Sequence, residues 1–319
     1  AFGSSPSMPV LVGEVVEAGP LTVQVKETLL GPEADQRVLD ASPRNLPPVE
    51  GFTYALALVS LQNNGARALF VDNDDFGFIT SARRIWTRLQ IVPPQPSMHV
   101  LLQPGDSFEG WVAGQPEDDK NLLLTFNCRD LGGSWSERFV ALGAGSAIVG
   151  DTDTPGPNDA GKTSQAPALI GETVVTKDWS LTILEIAYAD EVFALFPPED
   201  YRTTALGSAA PDLVPYWIAF QISLQQVRND GTPRHFPVDA LNLSGSDGQP
   251  IPDVRILSAP MPELSGSYLP GGRAIGWYAI ELPVDYGDAL LRFQPYRADE
   301  DVRYLTWADG IASPSPEGG

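Results

Sequence analysis

The sequence predicts an all-β chain made of two strand-built modules, and three observations carry that prediction. The first is that the chain matches itself. Leu11-Val12-Gly13-Glu14 is answered by Leu169-Ile170-Gly171-Glu172, Leu21-Thr22-Val23 by Leu181-Thr182-Ile183, and Ser60-Leu61-Gln62 by Ser223-Leu224-Gln225. Pro104-Gly105 followed by Gly110-Trp111 is answered at identical spacing by Pro270-Gly271 followed by Gly276-Trp277. The second is composition: thirty Gly and thirty Pro favour many turns and short strands over long helices. The third is period-two alternation of apolar and polar residues, clearest over Leu21 to Lys26.

The elements follow in order. Residues 1–9 form a small-residue, Pro-containing extended segment. The first module covers 10–142. Its second strand pattern, from Tyr54 to Leu61, is a longer apolar run that stops at Asn63-Asn64-Gly65, a hairpin-turn signal because Asn and Gly tolerate positive φ. Leu69 to Val71 leads into Asp72-Asn73-Asp74-Asp75. Ser81 to Gln90 could form one or two helical turns with Ile85, Trp86 and Leu89 on one side, and elsewhere helix signals are sparse. Pro104-Gly105-Asp106 turns the chain into the strand of Trp111, and Leu122 to Phe126 follows as another strand. Residues 143–168 are rich in Gly, Pro, Ser and Asp and predict a pliant linker. The second module covers 169–310 and carries an insertion from Phe193 to Val214. A Pro/Ser/Gly tail fills 311–319.

Bulk properties exclude several functions. The chain has 319 residues, enough for each half to bury a core. Its net charge of −21, with only four Lys, disfavours nucleic acid and anionic membrane surfaces, where clustered cations must displace counterions. No apolar window is long enough to span a bilayer. The single cysteine, Cys128, sits on an alternating strand and reads as a small buried hydrophobe. The start, Ala1-Phe2-Gly3-Ser4-Ser5-Pro6, matches either a processed, exported chain or a trimmed one.

The order of these pieces resembles a bacterial immunoglobulin-like extracellular domain family of unknown function, common in surface lipoproteins and related to a mycobacterial secreted immunoprotective antigen. In the first half the pieces are Gly13-Glu14, Ser60 to Gly65, Val71 to Gly77, Pro104-Gly105, Gly110-Trp111 and Leu122 to Phe126. In the second they are Gly171-Glu172, Ser223 to Gly231, Leu241 to Gly248, Pro270-Gly271, Gly276-Trp277 and Ala289 to Phe293. The long Pro-rich insertions and the lack of a lipoprotein Cys at the start depart from the family pattern. The resemblance implies two tandem immunoglobulin-like β-sandwich domains on an exported, non-enzymatic protein. It supplies no catalytic residues.

Candidate sites are few. His99 and His235 both read as loop residues, and no Gly-x-Ser-x-Gly elbow or phosphate cradle accompanies them. Asp72, Asp74 and Asp75 are the candidate metal ligands, with Ca²⁺ the fitting ion; the competing reading is that these Asp serve turn formation. Asp151, Asp153 and Asp159 form a second acidic group in the linker. No other cofactor is expected. Trp111 and Trp277, on equivalent strands, read as sandwich core, whereas Trp86 and Trp135 lie outside the matched pattern and are free to be contact surface. The expected function is a non-enzymatic extracellular or cell-surface structural or adhesive protein. Assembly with itself, as a filament or surface-layer subunit, would run through strand edges or terminal segments. The alternative is a monomeric surface module binding a peptide, glycan or envelope partner.

Overall fold

The structure is a computed structural model that describes residues 3–86, 91–129, 135–143, 147–148, 154–188, 190–195, 216–252, 254, 256, 264–282, 288–296 and 301–307. The fold is all-β, and it divides into two compact units, Ala1–Asp151 and Thr152–Gly319. The strands of the first unit are β1 (Val10–Leu11), β2 (Val15–Ala18), β3 (Leu21–Leu30), β4 (Ala55–Asn63), β5 (Leu69–Asp72), β6 (Phe76–Ile79), β7 (Arg84–Trp86), β8 (His99–Leu102), β9 (Ser107–Gly114), β10 (Leu123–Arg129) and β11 (Trp135–Ala141). Helix α1 (Pro32–Ala41) stands between β3 and β4.

One antiparallel sheet runs β2-β3-β4-β9. It faces a second sheet in the order β1-β11-β10-β6-β7, with β5 and β8 paired beside them. Alternation explains how the core forms. Leu21, Val23 and Val25 of β3, with Ala57, Val59 and Leu61 of β4, point between the sheets, where Phe76, Phe78, Leu124 and Phe126 meet them. Leu56 and Leu58 point the other way and lie beneath α1. β4 is therefore covered on both faces, which is why its sequence is an almost unbroken apolar run.

The strands of the second unit are β12 (Thr173–Val175), β13 (Trp179–Tyr188), β14 (Tyr216–Gln226), β15 (Arg234–Phe236), β16 (Leu241–Ser244), β17 (Gly266–Tyr268), β18 (Arg273–Leu282), β19 (Leu290–Phe293) and β20 (Arg303–Leu305). A short helix α2 (Asp190–Ala194) follows β13. The sheet β12-β13-β14-β18 faces β16-β19-β20, with β15 and β17 paired. Trp179 is fully buried at the centre, edge-on to Phe236 and Tyr268.

Matched sequence pieces make matched bonds in the two units. Gly13 and Gly171 both have positive φ, 90° and 80°, and their amides donate to Val25 O and Ile183 O. Glu14 Oε2 accepts from the Leu11 amide at 2.8 Å, and Glu172 Oε2 accepts from the Leu169 amide at 3.1 Å. β3 and β13 each carry a register shift at the corresponding place, between Val25 and Glu27 and between Ile183 and Glu185.

Several expectations change. The ten-residue helix α1 had no counterpart in the reading of the sequence. Ser81 to Gln90 is not a helical turn in its described part: Arg84–Trp86 is β7, paired to β6, and residues 87–90 lie outside the described residues. Asn63-Asn64-Gly65 does not close a hairpin between neighbours, because the following strand β5 pairs with β8 rather than with β4. Residues 3–11 are tied down: the Phe139 amide donates to Gly3 O, the Ile148 amide donates to Pro6 O, and β1 runs parallel to β11. The segment 154–168, read as the second half of a linker, packs on its own unit. Ala168 is fully buried and bridges Leu305, and the Tyr304 amide donates to Gly161 O. Small residues there fit a tight approach to β20 rather than freedom: a Cβ on Gly161 would lie 2.4 Å from Tyr304 O. The insertion beyond Leu195, the tail 311–319 and the Asp151–Asp153 pair lie outside the described residues.

Candidate functional site

A cleft lies on the outer face of the β2-β3-β4-β9 sheet, on the side away from the sandwich core. Two local events build it. The first is the β-bulge in β3. Without it Glu27 would continue the inward set of Leu21, Val23 and Val25; the extra residue, Lys26, turns Glu27 outward, opposite Leu58. Leu58 in turn opposes Trp111 on β9. One row across the sheet is thus Glu27–Leu58–Trp111, continued toward the strand ends by Gln24–Ser60–Glu109 and Thr22–Gln62–Ser107.

The second event is α1. Pro32 at its first turn supplies a helical φ and lacks only an amide that would be unbonded anyway, and Glu33 and Asp35 sit at the positive end of the helix dipole. Ala34 and Val38, four residues apart, are both fully buried against Tyr54, Leu56, Ile91 and Trp111. Asp35 Oδ1 accepts from the Tyr54 amide at 2.7 Å and fixes the start of the helix. Asn45 fixes its end, donating to Val38 O and Val92 O and accepting from the Val92 amide.

Between helix and sheet lies a cavity of about 520 Å³ lined by Glu27, Leu29, Glu33, Gln36, Arg37, Asp40 and Trp111. Three carboxylates face one guanidinium. Gln36 Nε2 donates to Asp40 Oδ1 at 2.8 Å. A smaller cavity of about 210 Å³ in the second unit is lined by Asp239, Ala240, Asn242, Arg292, Gln294 and Pro295. The second unit also presents the row Glu185–Gln221–Trp277, with Glu185 placed just after its bulge as Glu27 is. Trp277 is half-buried beside Val192 of α2, Trp217 and Ala279.

The sequence-predicted residues are placed as follows. Trp111 is 6% exposed, so it is buried, but under α1 on the outer face and not between the sheets. Trp277 occupies the same side of its own sheet. The error has a simple source: burial by a helix on a strand's outer face leaves the same alternating pattern as burial in a sandwich. Trp86 is not contact surface. It is 4% exposed, edge-on to Phe52 at 5.2 Å, with the Arg84 guanidinium 3.8 Å over its ring. The side chains of Trp135 and Cys128 lie outside the described residues. His99 and His235 stand on β8 and β15 rather than in loops.

Asp72, Asp74 and Asp75 fall at a 3-10 turn (Asn73–Asp75), where two of them bond the backbone. Asp72 Oδ1 accepts from the Asp74 amide and Asp75 Oδ2 from the Asp72 amide, a reciprocal cap. Burial pushes the Asp75 carboxyl up from its ordinary value, with its own backbone bond opposing. Among the described residues no group of three or more His, Cys, Asp or Glu converges as metal ligands do. No helix among them is long and apolar enough to cross a membrane. Glu117 and Glu137 also have carboxyls raised by burial, offset in part by Arg84 and by the Thr125 hydroxyl respectively.

No family model matches the chain, and no curated protein matches it. Among solved structures it is similar to the yjhA protein from Bacillus subtilis, at 12% identity and a TM-score of 0.31 over 42% of this chain and 98% of that one. It is similar to an uncharacterized beta-sandwich protein from Clostridium difficile 630, at 10% identity and a TM-score of 0.27 over 42% of this chain and 94% of that one. An Amycolatopsis orientalis exo-chitosanase matches at 9% identity and a TM-score of 0.22, over 78% of this chain and 25% of the enzyme.

Proposed function

We propose that the chain is a non-catalytic module of the bacterial cell exterior, two copies of one β-sandwich, that works by binding a partner on its outer sheet faces. The observation that carries this reading is the contrast between strand edges that already hold partners and a cleft left open beside α1. The β9 edge is taken up by residues 96–98: the Trp111 amide donates to Pro96 O and the Met98 amide to Trp111 O. Gly110 permits that approach, since a Cβ there would lie 3.1 Å from the Met98 nitrogen. Arg138 Nε donates to Glu17 O on β2, Asn158 bonds Thr173 O and Val175 along β12, and Ile256 bridges Ile280 on β18. Strand addition needs a free row of amides and carbonyls, and these edges offer little of one. The N-terminal segment, a candidate donor strand, already pairs with β11 of its own unit. The outer face offers instead the cleft beneath α1.

Self-association is the second reading, favoured by a different observation. Leu11 and Val12 are exposed in the first unit, and Leu169 and Ile170 in the second, at matched turns. Sedimentation velocity from micromolar to near-millimolar concentration, with and without Ca²⁺, separates the two. The binding-module reading expects a monomer throughout. Concentration-dependent growth that disappears in Leu11→Ser/Leu169→Ser would replace it with self-assembly. Digestion of intact cells by an external protease tests placement: loss of the chain from cells that keep their cytoplasmic markers is the expected result.

A further inference from the structure

We infer that the cavity on the outer face of the β16-β19-β20 sheet binds a carboxylate, supplied by an acidic side chain of a partner protein, on the guanidinium of Arg292. This deepens the partner-binding reading and rests on it. Strand alternation puts the residues there. Leu241 and Leu243 of β16, Leu291 and Phe293 of β19 and Leu305 of β20 enter the core, so Asn242, Arg292 and Tyr304 form one row across the opposite face. Asn242 and Arg292 are direct cross-strand partners, which places their Cβ atoms about 5 Å apart. The Gln294 amide donates to Ala240 O at 2.7 Å and holds the segment before β16 against the end of β19. Asp239, Ala240, Asn242, Arg292, Gln294 and Pro295 then enclose about 210 Å³.

Two side chains here offer donors and lack acceptors. Arg292 is half-buried, its Nε is shut off from solvent without a hydrogen-bond partner, and among the described residues no carboxylate pairs with its guanidinium. The two Nη groups are not shut off with it and remain open to the cavity. Asn242 Oδ1 accepts from the Leu243 amide at 2.8 Å, which leaves Nδ2 as the end without a partner among the described residues. A cation partly withdrawn from water, with no counter-charge, gains more from an anion than an exposed one does. The planar fork of the guanidinium matches the two oxygens of a carboxylate, which it can meet end-on through both Nη groups, with Asn242 beside it as a further donor. Two features narrow the ligand. Asp239 shares the lining, and its charge opposes a dianion such as phosphate more than a monoanion. Among the described residues no aromatic ring lines the cavity, so an acidic sugar finds no stacking surface. The chain's charge of −21 repels acidic partners at long range, but salt at physiological strength screens that field beyond about 8 Å, and the nearer donors set the contact.

The test is titration of the full chain with N-acetylglutamate amide, followed by NMR through the backbone amides of Asn242, Leu243 and Gln294. Controls are N-acetylglutamine amide, glucuronate and inorganic phosphate. Saturable shifts centred on these amides are expected with the glutamate probe at millimolar concentration, the range for so small a ligand. The neutral glutamine probe should leave them in place. Arg292→Lys keeps the charge but loses the planar fork, and should weaken binding about tenfold. Arg292→Gln should abolish it, with the amides of Leu291 and Phe293 reporting that the core is unchanged. Should Arg292→Gln fail to fold, the lysine variant and the neutral probe still decide. Equal shifts from the glutamine probe, an unchanged affinity in Arg292→Lys, or no saturable shift at millimolar glutamate probe would overturn the inference. So would tighter binding of phosphate or of glucuronate, the second of which would assign the site to an acidic sugar. A protein that stays monomeric in sedimentation yet fails this titration refutes the carboxylate site alone; one that assembles with itself refutes the reading beneath it.

Discussion

Asn63 and Gln226 hold corresponding corners, each fully buried at the end of a central strand. Asn63 Nδ2 donates to Arg67 O and Leu102 O, and its Oδ1 accepts from the Gly65 amide. Gln226 Nε2 donates to Arg228 O, and its Oε1 accepts from the Gly271 amide. Truncating Asn63 would leave buried backbone groups without partners. Asn63→Ala should therefore cost about 1–3 kcal/mol in urea denaturation, whereas Asn64→Ala, at an exposed neighbour, should cost far less. Glu137 makes a second prediction. Because burial raises its folded pKa, its contribution to stability is fully present below the unfolded value and is lost as pH rises through the folded one. Glu137→Gln should match the parent in acid and become progressively more stable than it toward neutral pH, as denaturation curves from pH 4 to 8 would measure.

At the scale of elements, α1 decides whether the cleft exists. Its apolar contact with the sheet rests on Ala34 and Val38, and Val38→Ala should cost about 2 kcal/mol by loss of buried methyl groups. Part of α1 was legible: Gly31-Pro32 followed by Glu33 and Asp35 is a helix start. The rest was not, because a helix that buries only Ala34 and Val38 leaves too sparse an apolar stripe to be seen. β7 failed for the opposite reason. Ile85 and Trp86 suit a short strand as well as a helical turn, and only pairing with Phe78 and Ile79 selects the strand. The bulge in β3 left no mark in composition, yet it brings Glu27 into the row of Trp111.

For the whole molecule, the two compact units predict two unfolding events. Trp179 is fully buried and ringed by Phe236 and Tyr268, so Trp179→Ala should cost the second unit about 3–5 kcal/mol. Scanning calorimetry should show one transition moving down by several degrees while the other stays. A single transition that moves as one would mean that the units unfold together.

The sequence by itself determined the all-β class, the strand alternation and the matched turns, because these depend on local backbone preference and on which face of a strand is apolar. Its Gly-Glu and Pro-Gly steps fall where positive φ and short reach leave few choices. The tertiary structure alone decided which apolar face belongs to which layer: whether Trp111 meets the opposite sheet or a helix, whether Trp86 meets water or Arg84, and whether residues 154–168 hang free or lie on β20. Those outcomes turn on contacts between residues distant in sequence, and a period-two pattern reads the same whatever covers it.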